Sequence, residues 1–120
     1  MSFPASSRFP VGVAADFHDF LPFADAMRVS AASVTTPFKP AALRHATRVD
    51  EAAQRVGAAN TLRRTDGGWE AANTDVAGFL APLKGHDLKG LRAAVLGAGG
   101  GARAVVVALT SAGAKPAVCA

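Results

Sequence analysis

Two short polar segments end on residues that can move a proton. Ser33-Val34-Thr35-Thr36-Pro37-Phe38-Lys39 ends on a lysine, and Asn73-Thr74-Asp75 ends on a carboxylate. Between them lies Gly57-Ala58-Ala59-Asn60-Thr61-Leu62, with an amide at Asn60. Taken singly, each has a plain structural role: Lys39 as a solvated helix-start residue, Asn60 as a turn residue, Asp75 as a helix N-cap. Together they match the needs of hydride transfer at a secondary alcohol, which requires a proton carrier beside the reacting oxygen. A lysine serves when a neighbouring carboxylate holds it and tunes its pKa. Hydroxyl and amide groups would hold the remaining hydroxyls of such a substrate.

A second constellation suits an anion. Val95-Leu96-Gly97-Ala98-Gly99-Gly100-Gly101-Ala102-Arg103 fits the spacing G-x-G-x-x-A after an apolar strand and before a helix. Gly97 permits the tight turn, Gly99 has no side chain to block a pyrophosphate, and Ala102 lets the helix pack close to the strand. The helix N-terminus then offers unpaired N–H groups to phosphates. The plainer alternative is a glycine-rich turn with no ligand. The flanking strand and helix favour a dinucleotide site, which alone does not name a reaction.

The elements that must hold these residues follow from the pattern. Phe9 to Ala14 reads as a short buried strand. Asp16 caps a helix whose apolar face is Phe17, Phe20, Leu21, Phe23 and Ala24. Ala31 to Thr35 reads as a strand ended by Thr36-Pro37, because the residue before proline is pushed to extended geometry. Pro40 to Arg44 makes a helical turn, and Asp50 to Val56 a helix stopped by Gly57. Ala59–Arg64 and Trp69–Ala72 flank Thr65-Asp66-Gly67-Gly68 as a hairpin. A helix over Val76–Leu83 follows, then a polar boundary at Lys84–Leu91. A strand at Arg92–Leu96, a helix at about Ala102–Ala112 and a strand at Pro116–Ala120 give βαβ order and a parallel sheet.

Composition narrows the function classes. The chain has 120 residues, 50% hydrophobic and 18% charged, which predicts a packed core. The formal net charge is +4, but the basic residues are scattered. Arg63 and Arg64 are the only adjacent pair, and no aromatic residues interleave with them, so a solvated surface is expected and no nucleic-acid partner. Cys119 is the single cysteine, excluding an intrachain disulfide and a thiolate zinc site. His18, His45 and His86 lack the spacing of a helical metal pair, so no metal is expected. The start Met1-Ser2-Phe3-Pro4 lacks a signal-peptide pattern, and the apolar stretch at Ala104–Leu109 is too short to cross a bilayer; a soluble, cytoplasmic chain is expected.

S-V-T-T-P-F-K, G-A-A-N-T-L, N-T-D and L-G-A-G-G-G-A-R-A-V occur in the order and approximate spacing of the shikimate dehydrogenase family, which this sequence resembles from about Ala32 to the C-terminus and more faintly back to Phe9. The resemblance implies an α/β fold: an N-terminal substrate-binding domain over 1–84, followed over 85–120 by the first βαβ unit of a Rossmann-type NADP-binding domain. It implies Lys39 as the catalytic lysine exchanging a proton with the substrate oxygen, and Asp75 as its partner and a ligand of a substrate hydroxyl. Thr35 and Asn60 match substrate-binding positions. Gly97, Ala98, Gly99, Gly100, Gly101 and Ala102 match the loop under the NADP pyrophosphate. The implied reaction is the reversible, NADPH-dependent reduction of 3-dehydroshikimate to shikimate on the route to chorismate and the aromatic amino acids.

Departures from the family pattern are Thr36 for an aliphatic residue, Val76 for glycine and Gly101 for alanine. Ser6-Ser7 does not match the family's Ser-x-Ser element, and the basic loop that would recognise the 2′-phosphate of NADP lies beyond Ala120. An internal fragment, incomplete at both ends and a poor catalyst by itself, is therefore expected. The alternatives are a truncated non-catalytic nucleotide-binding remnant and an NAD-dependent quinate/shikimate dehydrogenase. Fusion with another shikimate-pathway enzyme is also compatible with these residues.

Overall fold

The computed structural model describes residues 16–120, so the strand expected at Phe9–Ala14 and the Ser6-Ser7 pair lie outside the described residues. Asp16 caps the first turn as expected. Its carboxylate accepts from His18 N, and Asp19 reciprocates by accepting from Asp16 N, a capping box over the 3-10 turn Phe17–Asp19. Helix α1 continues as Phe20–Ala26. Phe17 from the turn and Ala24 from the helix join the core, with Phe20 and Leu21 packed against them.

Strand β1 (Ala31–Ser33) is two residues shorter than expected. It ends where Val34 N turns to donate to Asn60 O. Helix α2 (Lys39–His45) begins one residue before the expected turn and ends one later. Strand β2 (Arg48–Val49) had no forecast. Helix α3 (Glu51–Val56) has the expected cap, Asp50 Oδ1 accepting from Ala53 N at 2.7 Å, and the expected stop at Gly57, whose φ of 75° lies in the left-handed region.

The hairpin is β3 (Thr61–Thr65) and β4 (Gly68–Ala72), closed over Asp66-Gly67 with Thr65 opposite Gly68. The first strand starts two residues later than expected because Ala59 N is already bonded to Lys39 O. The positive φ falls on Gly68 (134°) rather than on the Asp-Gly tip. The four strands form one sheet, β1-β3-β4-β2, antiparallel except for β2 beside β4.

Leu62, Trp69 and Ala71 turn to one face of this sheet and meet Phe17, Ala24, Ala42 and Ala53. Alanines dominate that core, so the helices sit close to the strands. The two adjacent arginines pair at the surface, where Arg63 stays largely exposed. Arg63 and Arg48 pair with Glu70, while Arg64 pairs with Asp25, donates to Val29 O and lies 4.3 Å above the Trp69 ring. The Arg63 guanidinium donates to the Glu70 carboxylate, holding it below the usual carboxylate range, and Arg63 is held up in turn. His18 and His45 also meet, with ring centroids 6.1 Å apart.

Helix α4 (Asp75–Leu80) gives way to a 3-10 turn at Ala81–Leu83, so the expected continuous helix to Leu83 is split where Pro82 cannot donate. Beyond the linker, β5 (Arg92–Leu96), α5 (Gly100–Ser111) and β6 (Lys115–Cys119) form the expected βαβ unit, with β5 and β6 parallel. Helix α5 starts two residues earlier than expected, because Gly100 and Gly101 join its first turn. It packs on both α3 and α4. Val56, Ala58 and Ala104, with Val76 and Val107, bury the junction between the two sheets.

Candidate active site

The three polar segments converge at one end of the four-stranded sheet. Ser33, at the end of β1, lies opposite Thr61, at the start of β3, which lies opposite Ala72, at the end of β4. The segment leading to Lys39, the residue Asn60 and the Asn73-Thr74-Asp75 turn therefore leave the sheet side by side. Backbone bonds fix them there: Ala59 N donates to Lys39 O at 2.9 Å, and Asn60 N to Ala72 O at 3.1 Å.

Lys39 Nζ donates to Asp75 Oδ2 at 2.8 Å across 36 residues of sequence. The lysine side chain is 14% exposed and the aspartate 32%. Asn60 Nδ2 donates to Asp75 Oδ1 at 3.0 Å and to Thr74 Oγ1 at 2.8 Å. Asn60 Oδ1 accepts from Thr74 N and Thr61 Oγ1. All four hydrogen-bonding positions of that amide are occupied, so its orientation is fixed. Lys39 retains two free N–H donors and each Asp75 oxygen a free lone pair. A ligand oxygen can thus meet the ammonium without breaking the ion pair.

Asp75 is not the N-cap considered from sequence. Thr74 occupies that position, and Asn73 Oδ1 accepts from Asp75 N at 2.9 Å. The Asp75 carboxylate is thereby free to face Lys39. Asn73 is the residue that sequence reasoning passed over. It is 3% exposed, and its Nδ2 donates to Ala58 O at 2.9 Å. It ties the Gly57–Asn60 loop to the start of α4. Its place in a three-residue polar cluster after an apolar strand was the available signal. Thr35 stays apart: it is exposed, its carbonyl accepts from Phe38 N, and its side chain joins none of the hydrogen bonds of this network.

The glycine loop lies beside this network. Gly97 has φ 116°, which a side chain would strain. Beta-carbons placed on Gly97, Gly99 or Gly101 would meet nothing within 4 Å, so the loop borders open space. Gly100 differs, since its Cβ would touch Lys39. The loop and the lysine, on different sheets, are therefore neighbours. Among the described residues there is no group of three or more metal-ligating side chains, and no helix long and apolar enough to cross a membrane.

A lysine–carboxylate pair at a sheet end thus stands next to a strand–glycine loop–helix unit in an α/β protein. Residues 8–62 match the family model described as the shikimate dehydrogenase substrate binding domain. The chain is 51% identical over 87 residues to the NADP(+) shikimate dehydrogenase of Synechocystis, covering 71% of this chain and 30% of that relative. It is 45% identical over 116 residues to that of Xylella fastidiosa strain M12, covering 86% and 41%. The crystal structure of shikimate dehydrogenase from Aquifex aeolicus superposes with a TM-score of 0.77 at 36% identity, covering 85% of this chain and 39% of that one. The chain is similar to the shikimate dehydrogenase family over most of its length, and it spans about 30 to 41% of the length of these curated relatives.

Proposed function

We propose that this chain carries the substrate-binding part, over 1–84, and the opening cofactor-binding unit, over 85–120, of an NADP-dependent shikimate dehydrogenase. The reaction is the reversible reduction of 3-dehydroshikimate to shikimate. Lys39 Nζ passes a proton to, or takes it from, the oxygen of the reacting carbon. Asp75 holds the ammonium in place and accepts from a substrate hydroxyl through its free lone pairs. Asn60 fixes Asp75, and its own contact with substrate takes the place of the Thr74 hydroxyl. Thr35, exposed and four residues before Lys39, stands outside the hydrogen-bonded network and supplies a hydroxyl to the substrate from the same segment.

The cofactor reading rests on the loop from Gly97 to Ala102 and on the start of α5. Open space over Gly97, Gly99 and Gly101 and the unpaired N–H groups of a twelve-residue helix suit a pyrophosphate. Bound there, NADP supplies the hydride acceptor or donor. The observation that carries the whole reading is the Lys39–Asp75 pair standing against the first turn of the glycine-loop helix.

The test is turnover by the complete protein that contains this chain. With shikimate and NADP, NADPH absorbance is expected to grow, with little growth for quinate or NAD. Equal or faster turnover of quinate with NAD would replace this reading by a quinate/shikimate dehydrogenase. No turnover with either would leave a nucleotide-binding protein without the chemistry.

A further inference from the structure

We propose that Gly100 is a positioning residue for Lys39: the missing side chain at the first position of α5 makes the space in which the lysine stem lies. A Cβ on Gly100 would stand 3.2 Å from Lys39 Cδ, 3.8 Å from Lys39 Cβ and 3.9 Å from Ala58 Cβ. Carbon atoms pack best at about 3.5–4.0 Å, so Cδ would have to withdraw. A lysine with a free end absorbs such a push by changing rotamer. Lys39 is held at both ends, by the backbone bond from Ala59 N to its carbonyl and by the 2.8 Å contact of Nζ with Asp75. Moving Cδ therefore moves the ammonium.

The backbone does not explain a glycine at this position. Within the loop only Gly97 has a positive φ, so the conformation of Gly100 is open to any residue. The other three loop glycines face open space, and only Gly100 faces protein. Its bareness serves the lysine, whereas theirs leave room over the loop. The cofactor unit thereby helps set where the proton carrier stands. That functional meaning rests on the dehydrogenase reading, while the contact itself does not.

Two measurements on this chain test the proposal without substrate, cofactor or turnover. The first reads the ion pair by NMR, through the Lys39 Cε resonance assigned with Lys39→Ala. Asp75→Asn should shift that resonance in the otherwise native chain and in Gly101→Ala, and should move it less in Gly100→Ala, where the ammonium is displaced from the carboxylate. The second reads Tm. Gly100→Ala should lower Tm in the native background and cease to lower it when Lys39 is alanine, while Gly101→Ala should not lower it in either. An Asp75→Asn shift of the same size in Gly100→Ala as in the native chain would overturn the proposal. So would an equal Tm loss with and without the lysine. Failure of the shikimate assay would leave both readouts unaffected, so the two readings fail separately.

Discussion

Asn73→Ala removes one side chain that satisfies two backbone groups at once, the Ala58 carbonyl at 2.9 Å and the Asp75 N–H at 2.9 Å. The site is 3% exposed, so water cannot readily replace the amide at Ala58. Leaving a buried polar group unpaired costs about 1–3 kcal/mol. The Ala58 carbonyl counts in full, and the Asp75 N–H, on a part-buried helix start, nearer the low end. The expected loss is about 2–4 kcal/mol. At about 4–8 °C per kcal/mol for a domain of this size, Tm should fall by at least about 8 °C. Urea unfolding of the native and variant chains measures the loss directly, with the midpoint falling and the slope unchanged. A loss below about 0.5 kcal/mol would refute the reasoning, because it would mean that Asn73 does not hold the loop against α4.

Leu62→Ala should cost about 2–5 kcal/mol in the same assay, since Leu62 is 1% exposed at the centre of the sheet core and leaves a cavity. Gly57→Ala should cost about 1 kcal/mol, because the left-handed C-cap at φ 75° strains a side chain. Glu70→Gln tests the surface pair by pH. The folded-state pKa of Glu70 is depressed by Arg63, so its contribution is present above the unfolded carboxylate pKa and is lost as pH falls through the folded value. The stability of the native chain should therefore drop more steeply than that of Glu70→Gln as pH falls below about 4.3. Parallel curves would exclude a stabilising pair.

Local chemistry made part of this fold legible. Asp50 and Gly57 bracket α3 through a cap bond and a left-handed stop, signals confined to a few residues. The Asp66-Gly67 hairpin and the βαβ order of β5, α5 and β6 were equally local. Strand β2 was not legible, because two exposed residues carry no alternation and gain their place only by pairing with β4. The start of α5 was misplaced because glycine signals a loop, while Gly100 and Gly101 lie in the helix, where α5 runs against the Lys39 stem. The site divides in the same way. The polar segments stood out singly, but a bond between Lys39 and Asp75 across 36 residues depends on sheet register. No local propensity reports that register; only the spacing of four motifs pointed to it. Asn73 was overlooked because its role lies in burial, which a three-residue cluster does not reveal.

The most direct test of the central claim is Lys39→Met in the complete protein, assayed for shikimate oxidation with NADP and, separately, for NADP binding. Methionine keeps an unbranched stem against Gly100 and removes only the ammonium that contacts Asp75. Turnover should fall by about 100-fold or more, the usual scale of a lost proton carrier, while NADP affinity changes little. Turnover close to that of the native enzyme would contradict the account, because the proton would then travel by a route that does not include Lys39.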